Sequence, residues 1–116
     1  MLQPIPMKGD RLGEFEELTL LAVLALGDAA YGVAVQQHLE REAAREVSLG
    51  PVYAALERLE RKGCLRSAMG DPTPERGGKR KRLFAVTKSG MATLRSMRQV
   101  RESMWKAIES PARGRS

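Results

Sequence analysis

Five cations, Arg76, Lys79, Arg80, Lys81 and Arg82, fall within seven residues of the segment PERGGKRKRLFAVTKSG (74–90). Guanidinium and ammonium groups at this density bind polyanions: on a duplex they displace condensed counterions and gain affinity without reading sequence. Residues 1–75 carry 8 Lys/Arg and 12 Asp/Glu, a net of −4, whereas residues 76–116 carry 12 and 2, a net of +10. A basic region on a mildly acidic body points to nucleic acid or to a solvated basic tail, and charge alone does not separate the two. Bond-making chemistry is poorly supplied. His38 is the only histidine and Cys64 the only cysteine, so a nucleophile–base pair needs a partner that nothing signals. His38 reads as a helix-flank residue. Cys64 reads as a small buried hydrophobe, with a redox role beside Lys62 and Arg66 as the alternative. No metal-ligand spacing occurs and GGKRK lacks the P-loop frame, so no metal or cofactor is expected and an enzyme ranks last.

The elements that must carry the cations follow from periodicity and stop signals. GEFEELTLLAVLALG (13–27) reads as a helix with Glu14, Glu16 and Glu17 at its positive end and a stripe of Phe15, Leu18, Ala22 and Ala25, widened by Leu20, Leu21, Leu24 and Leu26, so that it must be covered from more than one direction. GDAAYG is a turn, and VAVQQHLEREAA (33–44) a second helix with Val35 and Leu39 inward. SLGPVYAALERLERKG (48–63) gives the clearest helix: Ser48 can cap it, Pro51 suits its first turn, and Val52, Leu56 and Leu59 repeat at i, i+4, i+7. Glu57 and Arg61 can pair on its wet side, and Gly63 stops it. CLRSAM (64–69) and RLFAVT (82–87) are strands joined by a long turn, in which DPTPE (71–75) is a spacer expected to face away from phosphate. Thr87 then caps a helix over 88–109. Three helices, a hairpin and a long helix make a mostly α chain with a small β-hairpin, a winged helix-turn-helix plus a long C-terminal helix.

In that arrangement the third helix enters the major groove while the hairpin reaches the adjacent backbone. Ser48, Gly50 and Pro51 are small enough for close approach, and a helix N-terminus favours phosphate. Tyr53 either reaches a phosphate with its hydroxyl or packs as a half-buried ring. Arg58 either faces DNA or is a solvated arginine. Arg76, Lys79 and Arg80 are the first wing contacts; Lys81 and Arg82 start a strand, so alternation sends only one of them toward DNA.

These segments resemble the PadR family of bacterial transcriptional regulators over residues 13–95. The motif G-x-x-Y-x-x-L-x-R-L-x-x-x-G is met by Gly50, Tyr53, Leu56, Arg58, Leu59 and Gly63. Tyr31 and Gly32 open the second helix, and Arg80 to Arg82 run into Thr87 and Gly90. Where the family often has tyrosines on the returning strand, this chain has Leu83 and Phe84, and a hydroxyl contact there is lost. The resemblance implies a cytoplasmic homodimer that binds a (pseudo)palindromic operator and represses transcription, of the short subgroup that dimerises through the last helix against the partner's first-helix region. The residues expected at that interface are Phe15, Leu18, Leu94, Met97, Met104, Trp105 and Ile108. Met91, Met97, Met104 and Trp105 either pack the interface or line a small-molecule effector pocket there.

The expected organisation is a loose N-terminus (1–12), a DNA-binding domain (13–87), a dimerisation helix (88–109) and a tail (110–116). The longest apolar run, LLAVLAL (20–26), is far short of the ~20 residues that span a bilayer, so no membrane association is expected. With no signal-like segment and a single cysteine, a reducing cytoplasm is the natural compartment. The rival reading is a winged-helix protein–protein interaction module whose basic wing binds an acidic partner.

Overall fold

A computed structural model of the chain describes residues 11–71 and 80–109. Its elements are α1 (Glu14–Leu26), a 3-10 turn (Gly27–Ala29), α2 (Gly32–Glu42), α3 (Leu49–Arg61), β1 (Leu65–Met69), β2 (Arg82–Val86) and α4 (Lys88–Glu109). This is the winged helix-turn-helix order expected from the sequence. Residues 1–10, expected to be loose, the residues Pro74, Arg76, Gly77, Gly78 and Lys79, expected at the wing tip, and residues 110–116, expected to be a tail, lie outside the described residues.

The three helices enclose one core in which Leu20, Val35, Val52, Leu56 and Leu59 are wholly buried. The stripe Val52, Leu56, Leu59 is inward as its spacing predicts. The inner face of α1 differs from expectation. Ala22 is buried as expected, together with Glu16, Thr19, Leu20 and Val23, while Phe15 and Leu18 are half-buried and Leu21, Leu24 and Ala25 face outward. Two polar groups occupy the inner stripe because each is satisfied there. The Thr19 hydroxyl donates to the Phe15 carbonyl at 2.7 Å. The Glu16 carboxylate accepts from Arg58 Nε and Lys62 Nζ, both at 2.8 Å, and from the Gly13 N–H at 3.0 Å.

That cluster sets a pH-dependence. Burial raises the Glu16 pKa, but the Lys62 and Arg58 hydrogen bonds and the Gly13 N–H outweigh it, and the carboxyl lies below its ordinary value of 4.5. A depressed folded value gives stability that is present above pH 4.5 and is lost as pH falls through the lowered value. Glu16→Gln is expected to cost about 1 kcal/mol at neutral pH, with the partly solvated Arg58 and Lys62 limiting the loss. The acid limb of a urea-melt stability profile below pH 4.5 should flatten in the variant; an unchanged limb would remove Glu16 from the linkage.

Local endings explain the remaining boundaries. The second helix stops at Glu42 rather than at residue 44, because Ala44 takes φ 53, a left-handed angle. The helix-turn-helix turn is then held by α2, where Gln36 Nε2 donates to the Val47 carbonyl at 2.8 Å and the Glu40 carboxylate accepts the Val47 N–H at 3.3 Å. Ser48 sits at the N-cap position of α3 with extended angles, but its hydroxyl makes no capping bond. Among the described residues, Glu57 and Arg61 do not form the expected ion pair. Thr87 caps α4 as expected: its oxygen accepts the Gly90 N–H at 3.0 Å and its hydroxyl donates to the Gly63 carbonyl at 2.6 Å.

The strands pair antiparallel, with Leu65 opposite Val86 and Met69 opposite Arg82. The far edge of β2 is tied to the body by Phe84 N–H donating to the Ala30 carbonyl at 2.8 Å. The base of the hairpin is therefore held against the body, β2 by this bond and β1 by its packing on α3.

Candidate nucleic-acid interface

The opening turn of α3 is the first part of the surface. Ser48, Gly50 and Pro51 are exposed, and Tyr53 keeps 39% of its surface. A β-carbon built on Gly50 would meet nothing within 4 Å. Internal packing therefore gives no reason for a glycine in this helical turn, where it costs about 1 kcal/mol relative to alanine.

Gly32 is the opposite case. A β-carbon there would collide with the Tyr53 ring, so the start of α2 and the first turn of α3 touch through a glycine and a tyrosine. Next to Gly32, the Tyr31 ring carries the Lys81 ammonium 4.0 Å from its centroid. Lys81 belongs to the root of the wing. A chain of contacts thus links Lys81 to Tyr31 and, through the buried Gly32, to Tyr53. Sequence reasoning placed Tyr31 and Gly32 only as a helix opening; the YG pair was the available signal that a ring and a close approach meet there.

Other expected contact residues are engaged within the chain. Arg58 Nε is bound to Glu16, with 42% of its side chain exposed. Arg82 pairs with Glu60 at 2.6 Å, donates to Ser67 Oγ at 3.1 Å and lies over the Phe84 ring. Its guanidinium clamps β2 to α3, while Lys81 turns to Tyr31, the divergence that alternation predicts. Arg80 Nε donates to the Gly70 carbonyl at 2.8 Å and closes the base of the wing. Arg76 and Lys79 lie outside the described residues.

A second surface lies on the other side of α1. Leu18, Leu21, Ala25, His38 and Leu39 line an open groove of ≈ 330 Å³. Along the far half of α4, Val100, Met104, Trp105 and Ile108 are each 61–67% exposed. Met97 is half-buried. Leu94, expected at an intersubunit contact, is instead 6% exposed within its own chain and packs α4 onto the core. Cys64 is buried, as a small hydrophobe would be. Among the described residues no group of three or more His, Cys, Asp or Glu could hold a metal ion, and no helix is long and apolar enough to cross a membrane.

Helix-turn-helix, anchored hairpin and projecting last helix define a winged helix-turn-helix protein. The chain belongs to the PadR-like family of transcriptional regulators, whose family model matches residues 20–96. No curated protein matches it at a significant level. Among solved structures, a PadR family transcription regulator from Clostridium difficile R20291 is 24% identical, with a TM-score of 0.65 over 83% of this chain and 96% of that one. A PadR-like transcriptional regulator from Bacillus cereus is 16% identical, with a TM-score of 0.67 over 84% and 90%. A transcriptional regulator from Clostridium thermocellum is 21% identical, with a TM-score of 0.63 over 82% and 89%. These likenesses show a shared fold.

Proposed function

We propose that the protein is a sequence-specific DNA-binding repressor that acts in the cytoplasm as a homodimer on a palindromic operator. The observation that carries the reading is the chain of contacts Lys81–Tyr31–Gly32–Tyr53, which brings the wing root close to the first turn of α3 and supports a face shared by the two. A duplex can then take α3 in its major groove and the wing on its backbone. Gly50, unneeded by the fold, lets the α3 backbone come close to a base edge or phosphate. The uncommitted Ser48 hydroxyl supports the same use. A gel shift against the DNA upstream of the protein's own gene, with random duplex as competitor at moderate salt, tests it. A specific band supports the repressor; binding no better than to random DNA favours the module that holds an acidic protein partner.

Gly50→Ala separates fold from function. Its β-carbon enters open space, so the helix gains about 0.5–1 kcal/mol, seen as a higher melting temperature. The same methyl fills the contact surface, and affinity for the upstream DNA should fall about tenfold, the worth of one good contact. A variant that melts higher and binds equally well would take Gly50 off the surface.

The dimer is supported by the stripe Met104, Trp105 and Ile108 on α4, which lacks a cover within the described chain, and by the open Leu18 groove on α1. A two-fold partner can lay its α4 across that groove and cover both, with Phe15 at the edge. We read Met97, Met104 and Trp105 as interface packing rather than an effector pocket. Glutamate at Met97 and Met104 together is expected to give a monomer in sedimentation velocity with the helical CD spectrum retained; a persistent dimer would move the interface elsewhere.

A further inference from the structure

Arg101 is out of place in the pattern of α4. On the helix it stands four residues after Met97 and four before Trp105, in the middle of the apolar stripe that Leu94 begins and Ile108 ends. Its guanidinium meets the Glu17 carboxylate of α1 at 2.6 Å, with the Glu17 side chain 13% and the Arg101 side chain 54% exposed. An ion pair whose arginine is more than half exposed to water adds little to stability. A leucine at 101 would extend the stripe and give a dimer more apolar area, so stability does not explain the arginine.

Geometry does. Toward its start α4 is held by Gly90 against the Cys64 carbonyl and by Leu94 in the core. The Glu17–Arg101 pair is the last tie from α4 to the body among the described residues. From Leu94 to Ile108 the helix runs about 21 Å, a lever whose angle that tie sets. A swing of about 10° moves the far end by roughly 4 Å over that length, and two-fold symmetry applies it to both subunits. Glu16, the neighbour of Glu17, holds Arg58 of α3 and Lys62 just beyond its end. One turn of α1 therefore fastens both the helix that reads DNA and the helix that carries the partner.

We propose that Glu17 and Arg101 are a positioning pair, which fixes the angle at which α4 leaves the body and hence the separation of the two α3 helices. The inference rests on the α4-mediated homodimer. A polar pair within an apolar interface gives up some stability for a single geometry, the use best attested for such pairs.

The test reads geometry directly. A spin label at Glu57→Cys, an exposed position on α3, with Cys64 replaced by alanine, reports the inter-subunit distance by pulsed EPR. The otherwise unaltered protein is expected to give one narrow distance. E17L/R101L should remain a dimer in sedimentation, as tight or tighter, with a distance distribution at least twice as broad or displaced. It should bind the upstream DNA about tenfold more weakly, within the usual range of such couplings, and random duplex as before. R101K should restore most of the narrow distance. A dimeric E17L/R101L with an unchanged distribution overturns the proposal alone, as does a monomeric one, which would make the pair part of the association itself. A monomeric protein without the two leucines overturns the homodimer and this inference together.

Discussion

Alanine at Arg76, Lys79 and Arg80 together is expected to lower affinity for any duplex by on the order of 10²–10³-fold at 0.1 M salt, and to flatten the log K against log[salt] slope by two to three units. Each lost phosphate contact returns about 0.9 of a counterion. The loss should be nearly the same on upstream and random DNA, because phosphate contacts position and do not specify. Arg80 has a second duty, since its Nε holds the Gly70 carbonyl at the wing base. R76K/R80K, which leaves all three positions lysine, keeps the charge and loses that bond geometry, and so separates the two: its slope should stay, and only a modest loss of affinity should follow. Fluorescence anisotropy over a salt series reads all three proteins. An alanine triple with an unchanged slope would mean that the wing does not touch phosphate.

Gly90→Ala is expected to destabilise the fold by about 2 to 3 kcal/mol, although alanine is the better helix former by about 1 kcal/mol. The new β-carbon would run into the Cys64 carbonyl, with the Cys64 carbonyl carbon and Cα 3.1 Å away. That backbone cannot give way cheaply: its N–H donates to the Leu59 carbonyl at 2.9 Å, and its carbonyl accepts the Thr87 N–H at 3.0 Å. The strain falls on α4, whose Gly90 N–H also holds the Thr87 cap. Thermal melts should shift down by about 10 °C for a domain of this size. A rise in melting temperature would mean that helix propensity wins and that α4 does not press on the Cys64 backbone before β1. Gly90 and Gly50 are both helical glycines, and the fold assigns them opposite outcomes.

Most of the architecture was written in local signals. Pro51, the Val52–Leu56–Leu59 spacing and Gly63 delimit α3; Thr87 begins α4; the Gly- and Arg-rich turn joins two short strands. What escaped was long-range. An apolar-pattern reading of α1 gives the inner face to Phe15 and Leu18, because it cannot weigh a buried carboxylate whose cations come from residues 58 and 62. The same blindness hid the engagement of Arg58 and Arg82, each of which spends a guanidinium nitrogen on a carboxylate from another element. Of the expected interface, Leu94 turned inward while Met104, Trp105 and Ile108 stayed open. Tyr53 proved to be a packing ring on Gly32 and an exposed residue at once, so the two readings of it were not exclusive.

Amide hydrogen exchange with and without the upstream duplex reads both parts of the proposed surface in one measurement. Slowed exchange is expected together in the Ser48–Tyr53 turn and in the wing root around Arg80 and Lys81, with no change at Asp28 and Arg66, which line one pocket with Ala68 and Leu83 of the hairpin. Protection of only one of the two segments, or protection centred on Asp28 and Arg66, would contradict the shared face.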